Sequence, residues 1–248
     1  MKGSVVKVVA CYSVKGGVGK STLAANLAWA MATWSARRTL LWDLDAQGSG
    51  GYLLGVDRSA GSPSRRLFTD GAIAADTVVA TAWPGLDVLP ADAGLNGLDR
   101  LLVKLGKKKR LARLTGALAE HYDRVVLDCP PVLGELSDQV IRAADAIVVP
   151  LTASPLARRG LDDVLEDLRR NHPGHGPVLP VFAMYDARRK LHAEAHAAEP
   201  DWPVIPMSSL VERMAVLRQP IGATAPASAP AQAVRQLAAG IERKLVEG

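Results

Sequence analysis

The chain has 248 residues, 48% of them hydrophobic, with 30 lysines and arginines against 25 aspartates and glutamates. Such a length suits one large α/β domain over residues 1–248, and no compositional shift marks a second. No apolar run approaches the roughly 18 residues of a membrane span, and no signal-peptide pattern opens the chain. The net charge of +5 fits a polyanionic partner or an ordinary soluble surface. Cys11 and Cys129 each lie in an apolar run and read as buried thiols of a reducing cytoplasm, not as a disulfide framework.

In chain order, residues 5–12 read as a short buried strand and residues 23–31, rich in alanine and leucine, as a helix packed on most sides. Between them runs Ser13-Val14-Lys15-Gly16-Gly17-Val18-Gly19-Lys20-Ser21-Thr22. Strand, glycine-rich loop and helix is the arrangement that holds a nucleotide phosphate. Glycines bring backbone N–H groups against phosphate oxygens, and the helix N-terminus adds its dipole. Lys20 reaches the β- and γ-phosphates of a bound nucleotide, and the Ser21 hydroxyl ligates Mg²⁺. The ordinary pattern wants a glycine where Val14 stands, and Lys15 adds a second lysine for which a single phosphate loop has no evident use.

Residues 39–44 form an apolar strand ending in Asp43 and Asp45, followed by Ala46-Gln47-Gly48, which puts carboxylates at the carboxyl edge of a sheet. From 56 to 84 the pattern weakens, and the Ser, Gly, Pro and Arg cluster at 58–66 reads as a surface excursion. A strand at 86–90 and helical pieces at 95–105 and 111–118 follow, parted by the basic run Gly106-Lys107-Lys108-Lys109-Arg110. Such a run can touch phosphate, although basic runs are usually solvated faces. The strand at 123–128 ends in Asp128-Cys129-Pro130-Pro131, the pattern of a Walker B strand whose aspartate holds Mg²⁺. A helix at 138–144, a strand at 146–150, an amphipathic stretch at 156–170 and strands at 177–184 and 204–206 complete the alternation. An Ala/Pro connector at 223–231 leads to a last helix with Val234, Leu237, Ile241 and Leu245 along one side.

KGGVGKST resembles the deviant Walker A motif of the ParA/MinD ATPases, and the resemblance extends through Asp45-Ala46-Gln47-Gly48 (with Ala46 where relatives have proline) and Asp128-Cys129-Pro130-Pro131. It implies a P-loop NTPase: a single doubly wound, mostly parallel sheet flanked by helices. It implies ATP/ADP and Mg²⁺ as cofactors, with Lys15, Gly16, Gly17, Val18, Gly19, Lys20, Ser21 and Thr22 around the phosphates. Lys15 then crosses a nucleotide-sandwich homodimer to the partner's phosphates, Asp45 positions the attacking water, and Asp43 supports the Mg²⁺ shell of Ser21 and Asp128. The adenine falls against Met184, Pro206, Met207 and Ser208. The segment Asp186-Ala187-Arg188 implies non-specific binding of double-stranded DNA, with Arg188, Arg189, Lys190, Arg213 and Arg218 as contacts, although Met207 stands where many relatives have arginine.

By the same resemblance the protein is a cytoplasmic, nucleoid-associated ATPase that moves DNA or another cargo, stimulated by a ParB-like partner. The alternatives are a MinD-like membrane-associated positioning ATPase and a nucleotide-locked scaffold with negligible turnover. The last helix lacks the bulky interfacial residues of a membrane anchor and is expected to pack on the domain itself. Cys11, inside a strand, does not suit the iron–sulfur branch, and the scattered tyrosines do not suit the tyrosine kinases. An amidoligase requires a substrate pocket that the residues do not mark.

Overall fold

The computed structural model describes residues 5–106, 108–131 and 133–247, so Lys107 of the basic run lies outside the described residues. The chain begins β1 (Lys7–Cys11), α1 (Lys20–Thr33), β2 (Thr39–Asp43), α2 (Ser49–Tyr52), α3 (Pro63–Asp70), β3 (Val79–Ala80) and β4 (Leu86–Leu89). Helices α4 (Leu98–Leu105) and α5 (Arg110–Gly116) lead into β5 (Arg124–Asp128), α6 (Glu135–Ala143) and β6 (Ala146–Leu151). Then come α7 (Pro155–Asn171), β7 (Val178–Tyr185), α8 (Lys190–Ala198) and β8 (Val204–Pro206). Three short helices, α9 (Ser209–Glu212), α10 (Met214–Leu217) and α11 (Ile221–Thr224), precede α12 (Ala229–Glu247).

The strands form one eight-stranded sheet in the order β3-β4-β2-β5-β1-β6-β7-β8. All neighbours are parallel except β3, which returns antiparallel to β4 at the edge. Strands β2, β5 and β6 are buried along their whole length, the expected state of a parallel sheet covered on both faces, and this explains their unbroken apolar runs. One face carries α1 and α12, packed through Leu23, Leu27, Met31, Val234, Leu237, Ile241 and Leu245. The other carries α3 to α7, packed through side chains such as Phe68, Leu102, Leu114, Val140 and Leu161. Helix α1 lies between the sheet and α12, so it is apolar nearly all round and shows no polar stripe.

The last helix docks as its apolar spacing predicts, and its four spaced side chains are all buried. Glu242 adds a bidentate pair to Arg124 at the base of β5, at 2.9 and 2.6 Å. Removing Glu242 strands the buried Arg124 charge, at a cost of about 3 kcal/mol, whereas Glu242 keeps Arg37 at 3.6 Å if Arg124 is removed.

Two sequence expectations are corrected. The supposed excursion at 58–66 contains the start of α3, whose entry is held by the Asp92 carboxylate accepting from the Ser64 N–H at 2.7 Å. That acceptor is a tertiary neighbour, invisible in the local pattern. The connector at 223–231 shrinks to residues 225–228, because α11 and the first turn of α12 occupy its ends. Pro230 fits there because the first turn of a helix leaves its N–H groups unpaired.

Candidate functional site

Parallel register gathers the site. Cys11 of β1 pairs with Asp128 of β5, and Asp128 pairs on its other side with Asp43 of β2. The loop after β1 therefore emerges beside both aspartates at the carboxyl edge of the sheet, where open α/β sheets bind ligands. Gly17 and Gly19 hold φ of 70° and 87°, a left-handed conformation that residues with a side chain rarely adopt. No side chain caps α1, so its first N–H groups face the loop. Lys20 is buried and donates from Nζ to the Lys15 carbonyl at 2.9 Å, which closes the loop on itself. Burial lowers the Lys20 pKa, while Asp128 and Asp45 pull it back up.

The two aspartates on the sheet have different surroundings. Asp43 accepts from the Asp45 N–H at 3.2 Å and the Gly51 N–H at 3.0 Å, so it braces the turn after β2 and the start of α2. Burial raises its pKa to about 6 despite those donors. Asp128 is fully buried and both carboxylate oxygens lack a hydrogen-bond partner. Burial, then the charge of Asp43, pushes Asp128 well above the usual carboxylate range; the Ser21 hydroxyl, close by but outside hydrogen-bonding geometry, opposes this. Gly50 lets α2 settle onto the pair, since a Cβ there would stand 2.7 Å from Asp128 Oδ2.

An orphaned, buried carboxylate next to a helix-initial hydroxyl fits a divalent cation. Among the described residues no cluster of three or more His, Cys, Asp or Glu could hold a metal alone. That suits Mg²⁺, which takes one or two protein ligands and completes its shell from phosphate and water. Ser21 and Asp128 are the residues that would hold it, with Asp43 as a support already committed to backbone N–H groups.

A cavity of about 930 Å³ opens over this edge, lined by Gly16, Gly17, Gly19, Lys20, Ser21, Thr22 and Asp45 at one end and by Met184, Pro206, Met207 and Ser208 at the other. The phosphate-loop residues and the expected adenine wall thus meet in one space. Asp45 faces it with Oδ1 accepting from the Gln47 N–H at 3.0 Å. Val18 is buried and Lys15 does not line the cavity; a Cβ on Gly160 of α7 would lie 3.5 Å from Lys15 Cε, so the lysine stem runs toward that helix.

Sequence reasoning missed Asn26. Its Nδ2 donates to the Thr22 carbonyl at 2.7 Å and to Met214 Sδ at 3.2 Å, and its Oδ1 accepts from the Ile221 N–H at 3.0 Å. This strut joins α1 to α10 and α11 beside the same cavity, which Asn26 and Ile221 help to line. A lone amide within an otherwise apolar helix was the available signal.

The expected DNA contacts do not share one state. Arg188 is held by both oxygens of Asp186 at 2.9 Å, and this pairing lowers the Asp186 pKa to about 2. Lys190 pairs with Glu194 at 3.7 Å. Arg218 pairs with Asp57 at 2.8 Å and stacks on Tyr52, 4.4 Å from the ring centre. Arg189 and Arg213 are exposed and make no ion pair among the described residues.

The AAA domain family model matches residues 6–173. The chromosome partitioning protein ParA of Caulobacter vibrioides is 37% identical over 202 residues, covering 77% of this chain and 74% of that protein. The chain belongs to the ParA/MinD-type ATPase family. Within it, the chain is similar to the ParA/Soj-like partitioning ATPases. Among solved structures, cobyrinic acid a,c-diamide synthase from Mycobacterium smegmatis with bound ATP analog and magnesium is 29% identical, with a TM-score of 0.79 over 96% of this chain and 95% of that one. An ATP complex of a McdA variant from Cyanothece shares the fold at a TM-score of 0.82 and 23% identity, covering 98% of this chain and 97% of that one. Nucleotide and Mg²⁺ are therefore the ligands of the family to which this cavity belongs. No helix among the described residues is long and apolar enough to cross a membrane.

Proposed function

We propose that the protein is a Mg²⁺-dependent ATP hydrolase that closes into a homodimer around ATP, binds duplex DNA without sequence preference in that state, and reopens on hydrolysis. The observation that carries the dimer is the placement of Lys15: the loop around it lines the cavity, whereas its own side chain lies half-buried against α7 at Gly160, outside that lining. A cation on the phosphate loop directed away from its own cavity is available to a second copy.

The chain's residues divide the work. Loop N–H groups and Lys20 would bind the β- and γ-phosphates, Ser21 and Asp128 would hold the cation, and the Met184 and 206–208 wall would enclose the base. Mg²⁺, when bound with nucleotide, neutralises charge on the β,γ-oxygens. Asp45, fixed by the turn it shares with Gln47, orients the attacking water. DNA contact by Arg188, Lys190 and Arg218 requires exchanging intramolecular carboxylates for phosphates. For Arg188 and Lys190, whose side chains are exposed, water and salt screen the pair and the exchange is inexpensive; Arg218 is half-buried against Tyr52 and gives up more. A ParB-like partner accelerates hydrolysis, and the cargo is DNA or a DNA-tethered assembly.

Size-exclusion chromatography with Mg·ATP tests the reading. Asp45→Ala should bind ATP within about twofold of the parent and accumulate as a dimer with turnover stalled. Lys15→Gln should bind ATP and stay monomeric. A Lys15 variant that dimerises normally removes the trans role.

A further inference from the structure

The cations of this chain are unevenly satisfied. Over α7, the turn into α8 and the 213–218 segment they are mixed: Arg158, Arg170, Arg188, Lys190 and Arg218 each lie against a carboxylate, whereas Arg159, Arg169, Arg189 and Arg213 make no ion pair among the described residues. Across α3, α4 and α5 no exposed cation among the described residues is paired. Arg65 and Arg66 on α3, Arg100 and Lys104 on α4, Lys108 and Lys109 in the connector and Arg113 on α5 are all exposed, and none makes an ion pair among the described residues.

These residues belong to one surface. Leu67, Phe68, Leu98, Leu102, Leu111 and Leu114 anchor the three helices in a common core on one side of the sheet. Arg110 ties them further, donating from Nη2 to the Thr69 carbonyl at the end of α3 at 3.1 Å. The cations occupy the outward positions of these amphipathic helices. The acidic residues of the same helices offer little compensation: Asp70 is exposed, but Asp99 is half-buried and accepts from the Leu136 N–H at 3.0 Å.

A concentration of unpaired like charge costs self-repulsion, which a bound polyanion removes. We infer that the outward face of α3–α5 is a second docking surface, for the phosphate backbone of duplex DNA, and that it acts without nucleotide. The charges are spread along three helices and a connector, which suits an extended phosphate array. The large apolar side chain exposed on these helices is Val103, and no aromatic residue is exposed there. The face therefore offers neither an apolar wedge for a lipid surface nor a platform for unstacked bases. Because it lies wholly within one subunit, it needs no dimer to form. The inference extends the DNA binding proposed above but does not depend on the ATP switch: it supplies a weak, standing attraction to DNA on which the ATP-dependent state builds.

The test measures binding of a labelled random-sequence duplex by fluorescence anisotropy, from 50 to 200 mM salt, with no nucleotide and with ATP. The variant combines Arg65→Ala, Lys104→Ala, Lys108→Ala and Arg113→Ala, one from each element. All four side chains are exposed and unpaired, so its melting midpoint should match the parent's. The parent should bind without nucleotide, and the variant should show a log–log salt slope shallower by up to about 3.6, at about 0.9 per lost phosphate contact. A parent that binds duplex only with ATP overturns the inference, as does a variant with parental affinity and slope. Nucleotide-free binding to phosphatidylglycerol vesicles in preference to duplex, lost in the variant, overturns the choice of DNA. Nucleotide-free binding with no ATP-dependent gain counts against the switch alone and leaves this face standing.

Discussion

Lys20 and Ser21 from the first turn of α1 and Asp45 from the loop after β2 line the end of the cavity proposed for phosphate, while the end proposed for the base is assembled from Met184, Pro206, Met207, Ser208 and Val234. The first end is backbone geometry: positive-φ glycines, free N–H groups and strand-terminal carboxylates held by register. The second is side-chain surface on late segments of the chain, kept in place by Asn26 and by the docking of α12 on α1. The comparison teaches that the end proposed for phosphate is stiff and local, whereas the end proposed for the base depends on whether distant segments stay docked. Substitutions at the two ends should therefore fail differently.

The largest effect belongs to the phosphate end. Lys20→Ala removes a charge-assisted contact worth about 3 kcal/mol, so Mg·ATP affinity measured by calorimetry should fall by about a hundredfold or more. Adenosine affinity should hardly change in this variant. Near-parental ATP binding would remove Lys20 from the site.

A smaller and broader effect is expected at Asn26. Asn26→Ala leaves the buried Ile221 N–H without its acceptor, at about 1–3 kcal/mol. Stability should drop, and affinity for ATP, ADP and adenosine should weaken together, because the base wall loosens while the phosphate loop stays intact. A melting curve paired with the three titrations checks this. Selective loss of ATP alone would contradict the division between the two ends.

An effect of similar size, but on stability alone, is a pH dependence seated beneath the proposed phosphate end. Asp43 has a folded pKa of about 6 against an ordinary value near 4, so the folded state binds more protons between those limits. Stability of the nucleotide-free protein should therefore be highest, as regards this group, below about pH 4 and decline as pH rises through 6. The decline amounts to about 2–3 kcal/mol. Mg²⁺ with ADP should reverse the trend above pH 6, since the charged carboxylates then have a cation to face. Asp43→Asn should flatten the slope in differential scanning calorimetry between pH 4.5 and 7; an unchanged slope would assign it to other groups.

The sequence by itself determined the strand–loop–helix within residues 5–31, the two carboxylate strands ending at Asp43 and Asp128, and the apolar side of α12. These were readable because each is a local rule: glycine where φ is positive, apolar runs where a parallel strand is covered on both faces, and 3.6-residue spacing where one side of a helix is buried. The start of α3 was not readable, because its stabilising acceptor, Asp92, arrives from another part of the chain. Only the tertiary structure decided that Asp128 is left without a partner while Asp43 is braced, although both end the same kind of strand. It also decided that Arg218 is neutralised, because its partner Asp57 comes from a distant part of the chain, whereas Arg188 and Lys190 have Asp186 and Glu194 beside them in the sequence. Charge is written in the sequence, but pairing is a distance of a few ångströms, and most such distances exist only once the chain has folded.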